Sequence, residues 1–198
     1  MKTSAIYTLP VTLLALLLSI TLTTAQELGP ELRASPDGQE LTCWFDHDAG
    51  ALVGKTRSIL VRSKSDPDMP LFSFAGSSRS TDAAWNSIST RCVIVNEVDW
   101  ERTLVWLVYK DKSGKWHERS LDVMAPIEAE YRQAIGNKDH PGFRVHLDKI
   151  EWISDTQLRF LVWSNRNDPD LASSGNYQMD INTELPDAKP TMTRVPIR

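Results

Sequence analysis

The side chains of this chain best suited to acid–base or metal chemistry are four histidines, His47, His117, His140 and His146, and the carboxylates near them. FDHDAG sets Asp46, His47 and Asp48 side by side, a grouping that could serve as an acid–base pair or as a fragment of a calcium loop. A calcium loop needs a longer ladder of oxygen ligands with glycine in sixth place, and counting from Asp46 this glycine, Gly50, is fifth. His140 and His146 lie six residues apart in DHPGFRVH, across a Pro-Gly turn. None of the four histidines has zinc-protease or zinc-finger spacing. SNRNDPDLASSG is rich in oxygen-bearing side chains, as an exposed loop is. There is no Gly-x-Ser-x-Gly elbow and no phosphate-cradling loop. FAGSSRS has small residues but no strand-to-helix setting. The sequence therefore assigns no catalytic residue, no metal ligand and no cofactor. A hydrolase using Asp46, His47 and Asp48, with His140 or His146 alongside, is the least favoured reading.

The elements that would position any site follow from a pattern that comes round three times. RASPDGQELTCWF, DAAWNSISTRCVIVN and KIEWISDTQLRFLVW share one grammar. A short strand ends at Ala34, Trp85 or Trp152, a polar turn follows, and a strongly apolar strand comes next. Pro-Asp-Gly is turn chemistry, since proline presets φ and glycine accepts a positive one. The β-branched and aromatic residues after each turn favour strand. A third strand is expected at 56–64, 102–111 and 175–183, and a fourth at 70–76, 115–122 and 190–196. YKDKSGKW joins two of these as a hairpin with Ser113-Gly114 at its tip.

The expectation is an all-β chain of three four-stranded antiparallel units, at about 28–76, 80–122 and 145–197. Spacing of this length points to a repeat architecture. A plain antiparallel β-sandwich is the alternative. APIEAEYRQAIG interrupts the pattern, with Pro126 suited to a first helical turn and Gly136 to a cap. Ile127, Tyr131 and Ile135 recur every four residues, so a short helix is expected near 126–135, covering core or sheet edge.

SPDGQEL before an apolar strand, and YKDKSGKW between third and fourth strands, resemble blades of TolB-type β-propellers over most of residues 28–198. That resemblance implies an open or truncated propeller, because closed propellers typically have four to eight blades. In blades, the second-to-third-strand loops share a face with the links between blades. Asp46, Asp48, Asp99, Trp100, Arg166, Asp168, Asp170, Ser77 and Ser78 would gather there, with Lys112 and Ser113 on the opposite face. Most of the seven tryptophans fall on strands, but Trp100 sits among charges in NEVDWER and could anchor an interface.

The address is read from the start of the chain. Lys2, an apolar run over 9–22 and Thr23-Thr24-Ala25 give the expectation of a signal peptide, residues 1–25, and of one β-repeat domain over 26–198 in the periplasm or outside the cell. The net charge of −4 argues against nucleic acid as a partner and suits a cationic one. No membrane partner is expected after signal cleavage. Two cysteines in an exported chain favour one structural disulfide, Cys43–Cys92. The repeat alignment opposes it by placing both in one column, where stacked sheets stand about 10 Å apart.

By size, export and β content the chain resembles periplasmic immunity proteins, which neutralise cell-wall-degrading effectors of type VI secretion. That resemblance implies a non-enzymatic inhibitor that occludes a basic cell-wall hydrolase through a rigid loop. The candidate contacts are Trp100, Asp99, Ser77, Ser78, Arg166, Lys112 and Ser113. A small-ligand or glycan binder is the alternative.

Overall fold

The structure is a computed structural model that describes residues 31–48, 55–77, 79–98, 102–134, 145–164, 176–187 and 189–195. Twelve strands form three four-stranded antiparallel sheets, each a simple meander of consecutive strands. The first holds β1 (Glu31–Ala34), β2 (Glu40–Asp48), β3 (Lys55–Ser63) and β4 (Asp66–Ser77). The second holds β5 (Ser80–Trp85), β6 (Arg91–Glu97), β7 (Thr103–Lys110) and β8 (Trp116–Ser120). The helix α1 (Met124–Ala134) precedes β9 (Val145–Trp152), β10 (Gln157–Ser164), β11 (Asn176–Asn182) and β12 (Thr191–Val195) of the third. Among the described residues three sheets are present, not the two of a sandwich, and they form no closed barrel. Because each is blade-like, they are called blades 1 to 3.

The turns recur in the way the sequence grammar requires. In blade 1 the Gly38 N–H donates to Ser35 O and φ at Gly38 is +68°. In blade 2 the Ser89 N–H donates to Asn86 O and Ser89 takes the same left-handed conformation, φ +58°. The first turn residue caps each hairpin: Ser35 Oγ accepts from the Glu40 N–H, and Asn86 Oδ1 accepts from the N–H groups of Thr90 and Arg91. In blade 3 Ser154 Oγ accepts from the Gln157 N–H instead.

Blade 2 is the middle of the stack. Its Ala83, Cys92, Ile94 and Val108 pack on Trp44, Ile59, Val61 and Phe74 of blade 1. Its Val93, Val95, Val105 and Leu107 pack on Leu158, Phe160, Val162, Met179 and Ile181 of blade 3. A strand buried on both faces cannot alternate apolar with polar, which is why β6 reads Cys92-Val93-Ile94-Val95 without a break. The helix begins two residues before the expected start and seats Ile127 in the core between blades 2 and 3, next to Leu121 and Val123. Its role is to cover that core. Ile135 and Gly136 of the expected helix lie outside the described residues.

Two indoles staple the blades together. The Trp85 Nε1–H donates to Arg33 O of β1 at 3.0 Å, and the Trp152 Nε1–H donates to Ala84 O of β5 at 2.9 Å. Each tryptophan closes the first strand of its blade and reaches the blade before it. Ala34 holds the same place in blade 1, the first blade among the described residues. On the face of blade 3 turned away from blade 2, which also carries Leu161 and Trp163, the Arg159 guanidinium forks onto Asp180 at 2.7 and 2.8 Å, with Gln178 beside them.

The cysteine expectation is corrected here. Cys43 and Cys92 are both free and buried. Thr42 Oγ1 meets Cys92 Sγ at 3.3 Å, so Thr42 faces blade 2. Adjacent strand residues point to opposite faces, so Cys43 points away from blade 2, with its thiol directed to Leu60 O. Blade 1 itself separates the two sulfurs. They do not share a column either: Cys92 pairs with Trp85 as Leu41 pairs with Ala34. Burial pushes the Cys92 thiol up to about 12, in spite of the Thr42 hydroxyl, and burial also raises that of Cys43.

Candidate partner-binding surface

Meanders have two ends, and the described residues supply different chemistry at each. The loop end carries the second-to-third-strand connections. Asp99, Trp100, Ser78 and Arg166 were expected there and lie outside the described residues, as do Asp168, Asp170 and His140. Ser77 is described, and it is tied down. Its hydroxyl donates to Glu97 O, and its N–H donates to Asn96 Oδ1 at 3.1 Å. The same Asn96 oxygen accepts from the Thr81 hydroxyl at 3.3 Å. Ser77 therefore joins blade 1 to blade 2 and has no free donor for a partner. Next to it, His146 Nδ1 meets Glu97 Oε1 at 3.2 Å, and the imidazole stacks on Trp163 with ring centroids 4.2 Å apart. This links blade 3 to blade 2 at that end. Asp46, His47 and Asp48, expected in a loop, lie in β2 and pair with Arg57, Thr56 and Lys55 of β3. An extended strand cannot wrap a calcium ion. Among the described residues no group of three or more metal-ligating side chains comes together.

The hairpin end is built differently. Between β7 and β8 the chain turns through Asp111, Lys112, Ser113 and Gly114, with Gly114 at φ +85°. Asp111 organises the turn. Its Oδ1 accepts from the Ser113 N–H at 2.8 Å, the Ser113 hydroxyl at 2.6 Å and the Lys115 N–H at 3.0 Å. Its Oδ2 takes His117 Nε2 at 2.7 Å, and His117 stacks on Tyr109. The Ser113 hydroxyl and then His117 hold the Asp111 carboxyl well below the usual carboxylate range. Lys112, Ser113, Gly114 and Lys115 are exposed. Lys112 and Ser113 thus sit on an exposed turn that its own side chains lock. Because the Ser113 hydrogen is given to Asp111, Ser113 Oγ faces a partner as an acceptor.

Sequence reading missed a further set. The exposed large hydrophobics among the described residues are Met69 (67%), Ile88 (54%), Ile153 (41%) and Leu185 (56%). All four belong to the hairpin end: Ile88 and Ile153 to the inner turns, Leu185 to the β11–β12 connection, and Met69 to the start of β4. The signal was present, as an isoleucine inside the otherwise polar turn Asn-Ser-Ile-Ser.

Fold and surface together define a three-bladed antiparallel stack with a locked basic hairpin at one end. No family model, no curated protein and no solved structure matches this chain.

Proposed function

We propose that this chain is an exported, non-enzymatic protein-binding module. More specifically, we propose an immunity-type inhibitor that occludes the active site of a basic cell-wall-degrading enzyme. The observation that carries the reading is the Asp111-locked tip. Four contacts converge on one carboxylate to fix the turn that carries the exposed Lys112, Ser113 and Gly114. A loop ordered before binding loses little conformational entropy on entering a cleft, and that is the main benefit of preorganisation. Lys112 and Lys115 bring positive charge to the tip, suited to the catalytic carboxylates of glycan-cleaving enzymes. The net charge of −4 suits attraction to an enzyme that is basic elsewhere. The amino-terminal segment read as a signal peptide is consistent with a wall-facing compartment; it lies outside the described residues.

The test is to capture partners from a periplasmic extract and titrate each captured hydrolase with the purified protein. Activity should fall to the background level at saturation, and Asp111→Ala, which unlocks the tip, should weaken inhibition about tenfold, a loss of roughly 1.4 kcal/mol. A captured hydrolase that keeps full activity under saturating protein ends the inhibitor reading and leaves only a binding module.

A further inference from the structure

We infer that the hairpin end of the stack is a docking surface for a cationic protein, seated on Ile88, Ile153 and Leu185. This rests on the protein-binding reading above and adds where the partner sits and what it presents. Exposed aliphatic residues scattered singly are ordinary on any protein. These three are not scattered. The turn bearing Ile88 is tied to the turn bearing Ile153: Asn86 Nδ2 donates to Asp155 O at 3.0 Å, and the Ser87 hydroxyl donates to the Asp155 carboxylate at 2.9 Å. That turn is tied in turn to the segment bearing Leu185, because the Thr183 N–H and hydroxyl both donate to Thr156 O, at 2.8 and 2.9 Å. Arg119 of β8 donates to the carbonyls of Thr183 and Leu185 at 2.7 and 3.3 Å, fixing the same segment to blade 2. Three exposed aliphatic side chains therefore stand on one hydrogen-bonded platform that crosses blades 2 and 3.

Arg91, Arg119 and Lys189 belong to the same region, but the exposed charges nearest Ile153 and Leu185 in the chain are carboxylates. Asp155 follows Ile153 by two residues and accepts from the hydroxyl of Ser87, the neighbour of Ile88, while Glu184 and Asp187 flank Leu185. Asp155 and Asp187 are paired with no cationic side chain among the described residues, and Glu184 meets Arg91 only at 3.8 Å. Met69 repeats the motif on blade 1, next to the exposed Asp68. An aliphatic contact bordered by an unneutralised carboxylate fits a surface that offers apolar contacts bordered by lysine or arginine. The outward face of blade 3 makes the contrast, since its Arg159 and Asp180 satisfy each other and ask for no partner.

The test places the photoreactive residue benzoylphenylalanine, one site at a time, at Ile88, Ile153, Leu185 and, as a control, at Thr193 on blade 3, in the full-length protein within its own cells. The three platform sites should cross-link one and the same basic protein, and Thr193 should not. That protein, once purified, should bind Ile153→Asp and Leu185→Asp at least about tenfold more weakly than the parent. Asp155→Asn should slow association and flatten its dependence on salt. Circular dichroism separates lost contact from lost fold, and the milder Ile88→Ser repeats the test where an aspartate unfolds the chain. Absence of any cross-link from the platform, cross-linking from Thr193 alone, an acidic partner, or undiminished binding by both aspartate variants each overturns the proposal. A partner that docks here yet keeps its activity removes the inhibitor reading and leaves the surface. An inhibited partner indifferent to Ile153→Asp and Leu185→Asp removes the surface and leaves the inhibitor.

Discussion

Trp152→Phe isolates the contribution of one indole staple. The substitution removes the N–H that reaches Ala84 O at 2.9 Å, and it replaces an indole packed against the core shared by blades 2 and 3 with a smaller ring. A part-buried hydrogen bond of this kind contributes about 1 kcal/mol net. The ring change uncovers roughly 40 Å² of apolar surface, about a further 1 kcal/mol. The expected loss is about 2 kcal/mol, or about 4–8 °C in Tm for a domain of this size. Urea denaturation followed by circular dichroism measures it without relying on the fluorescence of the residue removed. Trp85→Phe should cost about half as much, because its bond to Arg33 O is exposed to water. Ala34→Trp supplies the control: among the described residues no strand offers its carbonyl to an indole at this position, so the new side chain should change stability by less than about 0.5 kcal/mol. The reasoning fails if Trp152→Phe loses less than about 0.5 kcal/mol, or if Ala34→Trp stabilises as much as Trp152→Phe destabilises.

Thiol titration in urea without reductant should find both Cys43 and Cys92 free, and finding none would restore the disulfide. The Cys92 thiol, raised in the fold from 9.0 to about 12, contributes stability that is fully present below pH 9 and lost as pH rises towards 12; alkaline denaturation curves of Cys92→Ala against the parent would show it. Asn96→Leu should destabilise by about 1–3 kcal/mol, since it leaves the Ser77 N–H and the buried Thr81 hydroxyl without their acceptor, and a denaturation midpoint unchanged from the parent would refute that. The Asp111 carboxyl is depressed in the fold, so its hold on the tip is complete above pH 3.8 and is lost as pH falls through the lower folded value; amide shifts of Ser113 and Lys115 in an acid NMR titration should follow.

Much of the fold was legible because each blade is local. Turn residues, β-branched runs and their recurrence mark all twelve strands within a few residues, and the helix within two. What the sequence could not give was which neighbour each strand face meets. The column assigned to Cys43 and Cys92 was off by two residues in register, and a contact that looked like a candidate bond became Thr42 against Cys92. The candidate residues divide in the same way. Lys112 and Ser113 were readable because a hairpin tip is a local feature. Ser77 looked available because small polar residues suggest exposure, but the junction between blades uses its hydroxyl. Ile88, Ile153 and Leu185 come from three separate segments, and only the docking of blades puts them on one platform.

The meander topology has a kinetic consequence. Every ladder in the structure joins strands that are neighbours in the chain, so no sheet waits for a distant segment before it can close. Loop-closure entropy is then modest for each hairpin, and it is the joining of three finished pages that carries the long-range part of the search. Unfolding should run the same route backwards. The first opening detectable by hydrogen exchange would be a parting at a spine, exposing the amides of an edge strand that meets the next page, such as β5 or β9, while the ladder of the page itself stays protected. A chain made this way loses its exposed aliphatic platform before it loses its sheets, because the platform exists only where pages two and three are closed against each other.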